Sequence, residues 1–84
     1  MSYTVVWVAD AEEEIARLWV DAPDRAAIAV AADAIDAALR RDPYGVGESR
    51  EGRRRILIVS PLAVTYTVKQ DDSLVEVTKI WKHQ

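Results

Sequence analysis

The sequence predicts an α+β fold in two layers, a helical pair on one sheet, in the order strand, helix, helix, strand, strand, strand. Three observations predict it. Apolar residues recur at helical spacing through two stretches between positions 15 and 39. They alternate with polar residues over 62–69, the period of a half-buried strand. A β-branched and aromatic run occupies 3–8. At 84 residues the chain suits one domain, spanning 1–84, with one small core.

Each element has its own signal. "YTVVWV" (3–8) reads as a strand with Tyr3, Val5 and Trp7 on one face. Asp10 is the expected N-cap of the first helix, and Glu12, Glu13 and Glu14 suit the positive end of its dipole. Ile15, Leu18, Trp19 and Ala22 follow at i, i+3, i+4, i+7, and Pro23 ends the run. The second helix is expected over 24–41. Its alanine-rich face carries Ala27, Ile28, Ala31, Ala32, Ile35, Ala38 and Leu39, with Asp33 and Asp36 opposite and Arg40 and Arg41 in the last turn.

Residues 42–52 hold Pro43, Gly45, Gly47 and Gly52 and read as a loop. Strands at 54–60, 62–69 and 73–82 follow, separated by the turn signals "SP" and "QDDS", so they form an antiparallel meander. The expected core is Val5, Trp7, Ile15, Leu18, Ile28, Ile35, Leu39, Leu57 or Ile58, Val64 and Tyr66. All three tryptophans, Trp7, Trp19 and Trp81, are read as core, with stacking on a base as the other use for Trp81.

Composition narrows the function classes. There is no cysteine and one histidine, which excludes a disulfide framework, a thiolate metal site and a multi-histidine zinc site. No run approaches the roughly 20 apolar residues of a membrane span, and the amino end lacks the pattern of a signal peptide, so a cytoplasmic protein is expected. Net charge is −3. Residues 1–42 hold nine carboxylates and four arginines, whereas residues 43–84 hold seven cations and five carboxylates. Two electrostatic faces are implied, and a pI near 5.0 argues against strong, simple nucleic-acid binding.

Three segments carry a resemblance: "YTVVWVADAEEEI" (3–15), "IDAALRRDPYGVG" (35–47) and "GRRRILIVSPLAVTYTV" (52–68). In their order and spacing the chain resembles the RelE/ParE superfamily, the toxin half of type II toxin–antitoxin pairs. The resemblance implies a cognate antitoxin whose extended segment wraps the domain, and no metal or cofactor. RelE-like members cut messenger RNA on the ribosome, and ParE-like members poison DNA gyrase. Members that cut RNA have basic residues on the second strand, matched by Arg53, Arg54 and Arg55. They have an arginine early on the third strand, where this chain has Ala63. Some use a glutamate in the preceding loop, matched by Glu48 or, less well, Glu51. Some end on a histidine followed by tyrosine, matched by His83 with Gln84 in the tyrosine's place.

Metal-free RNA cleavage needs a base for the 2′-hydroxyl, an acid for the leaving oxygen and cations for the phosphate. On that reading Glu48 is the base, His83 the acid, and Arg53 or Arg55 the clamp. Residues 53 and 55 share a face; Arg54 points the other way or sits at the strand mouth. Arg50, Arg54, Lys79 and Lys82 extend the basic surface toward a nucleic acid or a protein. The plainer reading is that the arginines keep a strand entrance solvated and that the lysines guard an edge strand. Three functions follow: a ribosome-dependent endonuclease, a toxin that blocks a protein such as gyrase, or a catalytically degenerate binding relative. Ala63 and the acidic pI favour the last two.

Overall fold

Strand β1 (Thr4–Trp7) runs into helix α1 (Ala9–Asp21) with Val8 as the joint. The computed structural model describes residues 2–83. Val8 is the N-cap, in place of the expected Asp10, because its backbone is shared between two elements. Its N–H pairs with the Val77 carbonyl, and its carbonyl accepts from Glu12 N. Asp10 and Glu12 instead lie in the first turn, where carboxylates still suit the dipole.

Helix α2 (Arg25–Arg41) starts as its sequence predicts, with Asp24 Oδ1 accepting from Ala27 N at 3.1 Å. It buries Ile28, Ala31, Ile35 and Leu39. No helix of the described residues is long and apolar enough to cross a membrane.

The chain continues through β2 (Glu48–Ser49), β3 (Arg54–Val59), β4 (Leu62–Lys69), a 3-10 turn (Gln70–Asp72) and β5 (Leu74–Lys82). The five strands form one sheet in the order β1-β5-β4-β3-β2, antiparallel except for β1, which pairs with β5 in parallel. The two-layer α+β architecture and the three-strand meander are as expected. The short β2 is an addition: two residues are too few to show any period, and Gly47, at φ +72°, turns the chain into it. β5 pairs with β1 only over Leu74–Val77, so the end of β5 that carries Lys79 and Lys82 has a strand neighbour on the β4 side alone, as the edge reading expects.

Leu57, Leu62, Val64, Tyr66, Val75, Val77 and Ile80 meet the helices in one core. Leu57 is buried and Ile58 is 49% exposed, which settles that alternation. Val5, Trp7, Ile15 and Leu18 are half-buried around this core, because β1 is an edge strand and α1 leans over the sheet's rim.

Two tryptophans depart from expectation. Trp19 is 43% exposed in the last turns of α1, where the Arg25 guanidinium lies over its ring at 4.7 Å. Trp81 is 37% exposed. A β-bulge turns it outward: Thr65 pairs with Lys79 but Tyr66 with Val77, leaving Thr78 as the extra residue. Thr78 Oγ1 donates to the Thr65 carbonyl at 3.2 Å. The inward set is therefore Val75, Val77 and then Ile80, and Lys79 and Trp81 face away from the helices.

Candidate functional site

A cleft of about 640 Å³ opens where β3 begins, between residues 44–54 and the 3-10 turn. Arg53, Arg54, Arg55 and Lys69 line it, against Asp71 and Asp72. Arg54 shares it with its neighbours because it sits at the strand mouth. Its Nε donates to the Glu51 carbonyl at 3.4 Å. Arg53 has no hydrogen bond or ion pair among the described residues. Lys69 is paired with Glu76 at 3.2 Å.

Arg55 is engaged differently. Its Nη1 donates to Ser49 Oγ (2.8 Å), its Nη2 to the carbonyls of Tyr44 (3.0 Å) and Val46 (3.2 Å), and its Nε to Tyr66 Oη (3.3 Å). Tyr66 Oη in turn lies 2.8 Å from the Pro43 carbonyl and 3.0 Å from that of Val46. Arginine's fork suits this fan of acceptors. One guanidinium and one phenol thus fasten residues 43–49 to the sheet, leaving few Arg55 donors for a ligand.

The sequence-predicted quartet is not brought together. Directly opposed residues share a face of a sheet. Ser49 opposes Arg55, whereas Glu48 opposes Ile56 on the other side. Glu48 is exposed and pairs with Arg50 at 3.2 Å. His83 stands at the far end of the sheet, where its backbone N–H donates to the Pro61 carbonyl at 2.7 Å. Five residue steps along β3, about 17 Å at strand rise, separate that end from the arginines. Gln84, the residue in place of the tyrosine, lies outside the described residues. Among the described residues no three of His, Cys, Asp and Glu are grouped to hold a metal ion.

The position of the missing arginine is occupied in another way. Ala63 opposes Ile58 on one side and Trp81 on the other, on the sheet face that the helices leave bare. It is 0% exposed, covered by these two larger neighbours. The result is an apolar row, Ile58–Ala63–Trp81, with Lys79 one pair further along. Sequence reasoning found Ala63 but missed the row. The signal was present in the pattern of β5, where Val75 and Val77 are followed by Ile80 rather than by an apolar residue at 79.

No protein-family model matches the chain, and no curated protein matches it by sequence. Solved structures do match by shape. A chain of the toxin-antitoxin complex RelBE2 from Mycobacterium tuberculosis superposes with a TM-score of 0.82 at 17% identity, over 99% of this chain and 93% of that one. The chromosomal ParDE TA system from P. aeruginosa gives 0.73 at 14% identity, over 99% and 98%. The isolated E. coli RelE toxin gives 0.62 at 12% identity, over 99% and 86%. The order of elements, the single mixed sheet and these superpositions together identify the RelE/ParE-like toxin fold.

Proposed function

We propose that this chain is the toxin-like member of a toxin–antitoxin pair and acts on its target by protein contact rather than by cutting RNA. The fold likeness supports the first half, since the similar structures include RelBE2 and RelE-RelB complexes and a ParDE system. A cognate antitoxin, wrapping the domain in an extended segment and working with it in the cytoplasm, is the partner this reading requires.

The observation that carries the second half is the apolar row. Where RNA-cutting members are expected to hold an arginine, Ala63 is sealed beneath Ile58 and Trp81. A partly exposed tryptophan with Lys79 one pair away on the same face is chemistry suited to a protein contact, because aromatic anchors carry much of the energy of such interfaces. Gyrase and a ribosomal protein surface are both targets of that kind.

One observation favours a second reading. The cleft at Arg53, Arg54 and Lys69 has more cations than carboxylates and would suit a phosphate. Cleavage there would have to proceed without Glu48 and His83 beside the arginines.

The test is induction of the chain without a partner, followed by purification. Growth arrest with ribosome-bound message left intact by the folded protein is the expected result. Message cut by the purified protein, and spared by the Arg53→Ala variant, would reverse the assignment. Normal growth despite abundant soluble protein would count against a toxin of either kind.

A further inference from the structure

Ser49 stands where the basic cleft meets the edge of the sheet. It lies on β2, the outermost strand, directly opposite Arg55. The residue is exposed and lines the cleft together with Arg53 and Arg54. Its Oγ accepts from Arg55 Nη1 at 2.8 Å, while its own hydroxyl proton has no acceptor among the described residues.

One neutral hydroxyl is a poor match for these neighbours. Arg53 has no partner among the described residues, and Arg54 reaches only the Glu51 carbonyl, at 3.4 Å. Lys69, the fourth cation of the cleft, is paired with Glu76. The carboxylates that line the cleft are Asp71 and Asp72. Like charges gathered in one cleft repel, and an anion set among them relieves the repulsion. A phosphoryl group on Ser49 Oγ has the required form. It brings nearly two negative charges and three acceptor oxygens, which guanidinium forks hold in pairs.

We propose that Ser49 is a phosphorylation site and that Arg53, Arg54 and Arg55 form the cradle for its phosphate. In the transfer, Oγ attacks the γ-phosphorus of a nucleoside triphosphate held by a protein kinase. The bond from that phosphorus to the bridging oxygen breaks, the nucleoside diphosphate leaves, and the hydroxyl proton passes to a base of the kinase. The fold suits both the transfer and its product. β2 is two residues long and paired on one side only, so few hydrogen bonds hold Ser49 back from a second protein. The adjacent Glu48 lies on the other face of the sheet and is paired with Arg50, so it does not oppose the added charge. Once formed, the phosphate ties Arg53 and Arg54 to β2 and closes their charge to any other anion. The inference goes beyond the toxin reading and holds whichever surface contacts the target.

Two measurements test it, and neither reads growth inhibition, so failure here and failure of the toxin reading are separate results. The first places phosphoserine at position 49 during synthesis of the full chain and titrates it by phosphorus NMR. An unconstrained phosphoserine loses its second proton near pH 6. Arginines around the dianion should lower that value by about one unit. In the same phosphorylated chain, Arg53→Ala should move it back toward 6; the position is exposed, and circular dichroism checks that the fold is kept. The second measurement is peptide mapping by mass spectrometry of the chain recovered from growing and from starved cells that carry its gene. Phosphate on Ser49 in either state is the expected result. A phosphate that titrates near 6 whether or not Arg53 is present would overturn the cradle. A chain unmodified at Ser49 in both states, or phosphorylated only at another residue, would overturn the site.

Discussion

At the scale of single residues, Arg55 and Arg53 carry the same charge two positions apart and do different work. Arg55 donates to two carbonyls and two hydroxyls, whereas Arg53 stands in the cleft with no partner among the described residues. Lysine at position 55 keeps the charge but replaces a planar fork with one ammonium, which cannot reach four acceptors spread around it. Arg55→Lys is expected to cost about 1–2 kcal/mol, because acceptors beside the buried Tyr66 hydroxyl lose their donors. Arg53→Lys should stay within about 0.5 kcal/mol, as exposed substitutions do. Urea denaturation followed by tryptophan fluorescence distinguishes the two. Equal stability of both variants would show that the Arg55 contacts do not hold the loop.

At the scale of elements, the connection from α2 to β3 depends on Gly47. Its φ is +72°, and an ideal Cβ would lie 2.6 Å from the Ile56 carbonyl oxygen and 2.7 Å from Tyr66 Oη. Backbone cannot move aside cheaply, so Gly47→Ala should destabilise by about 1–3 kcal/mol through the left-handed conformation and the clash together. Gly52 has the same φ with open space around it, so Gly52→Ala should carry only the conformational part. A larger loss at position 52 than at 47 would contradict this account of β2.

The same elements show which parts of the fold could be read from sequence. Both helices and β4 announce themselves through long periodic patterns, and the observed spans differ from the expected ones by a residue or two at their ends. β2 is legible only through Gly47, because two residues show no alternation. β5 misleads for a definite reason: its bulge shifts the parity between Val77 and Ile80, so Trp81 counts as inward on a strict two-residue period and faces outward in fact. The candidate site suffered the same limitation. Residue types suggested Glu48, Arg55 and His83 as companions, but only strand register could show that Glu48 and Arg55 lie on opposite faces.

At the scale of the whole molecule, the two faces of the sheet carry different surfaces. The helices cover one face and present half of the chain's fourteen carboxylates. The bare face holds Ile58 and Trp81 as exposed apolar groups, with Lys79 beside them. If the bare face contacts the target, its aromatic anchor should matter far more to activity than to folding. Trp81→Ala uncovers Ala63 and removes partly buried surface, an expected cost of about 1 kcal/mol, or about 4–8 °C in Tm for a chain of this size. At an interface the same truncation removes a central aromatic, typically 2 kcal/mol or more, which is about thirtyfold in affinity. The variant should therefore remain folded at growth temperature and lose most of its growth inhibition. The Arg53→Ala/Arg54→Ala double variant should stay inhibitory, because the cleft lies at the other end of β3 from Ile58. Soluble levels of each variant, measured alongside growth, exclude poor folding as the cause. Should the double-alanine variant relieve arrest while Trp81→Ala does not, the cleft and its unpaired arginine would be the working surface, and phosphate contact would replace the apolar row as the basis of activity.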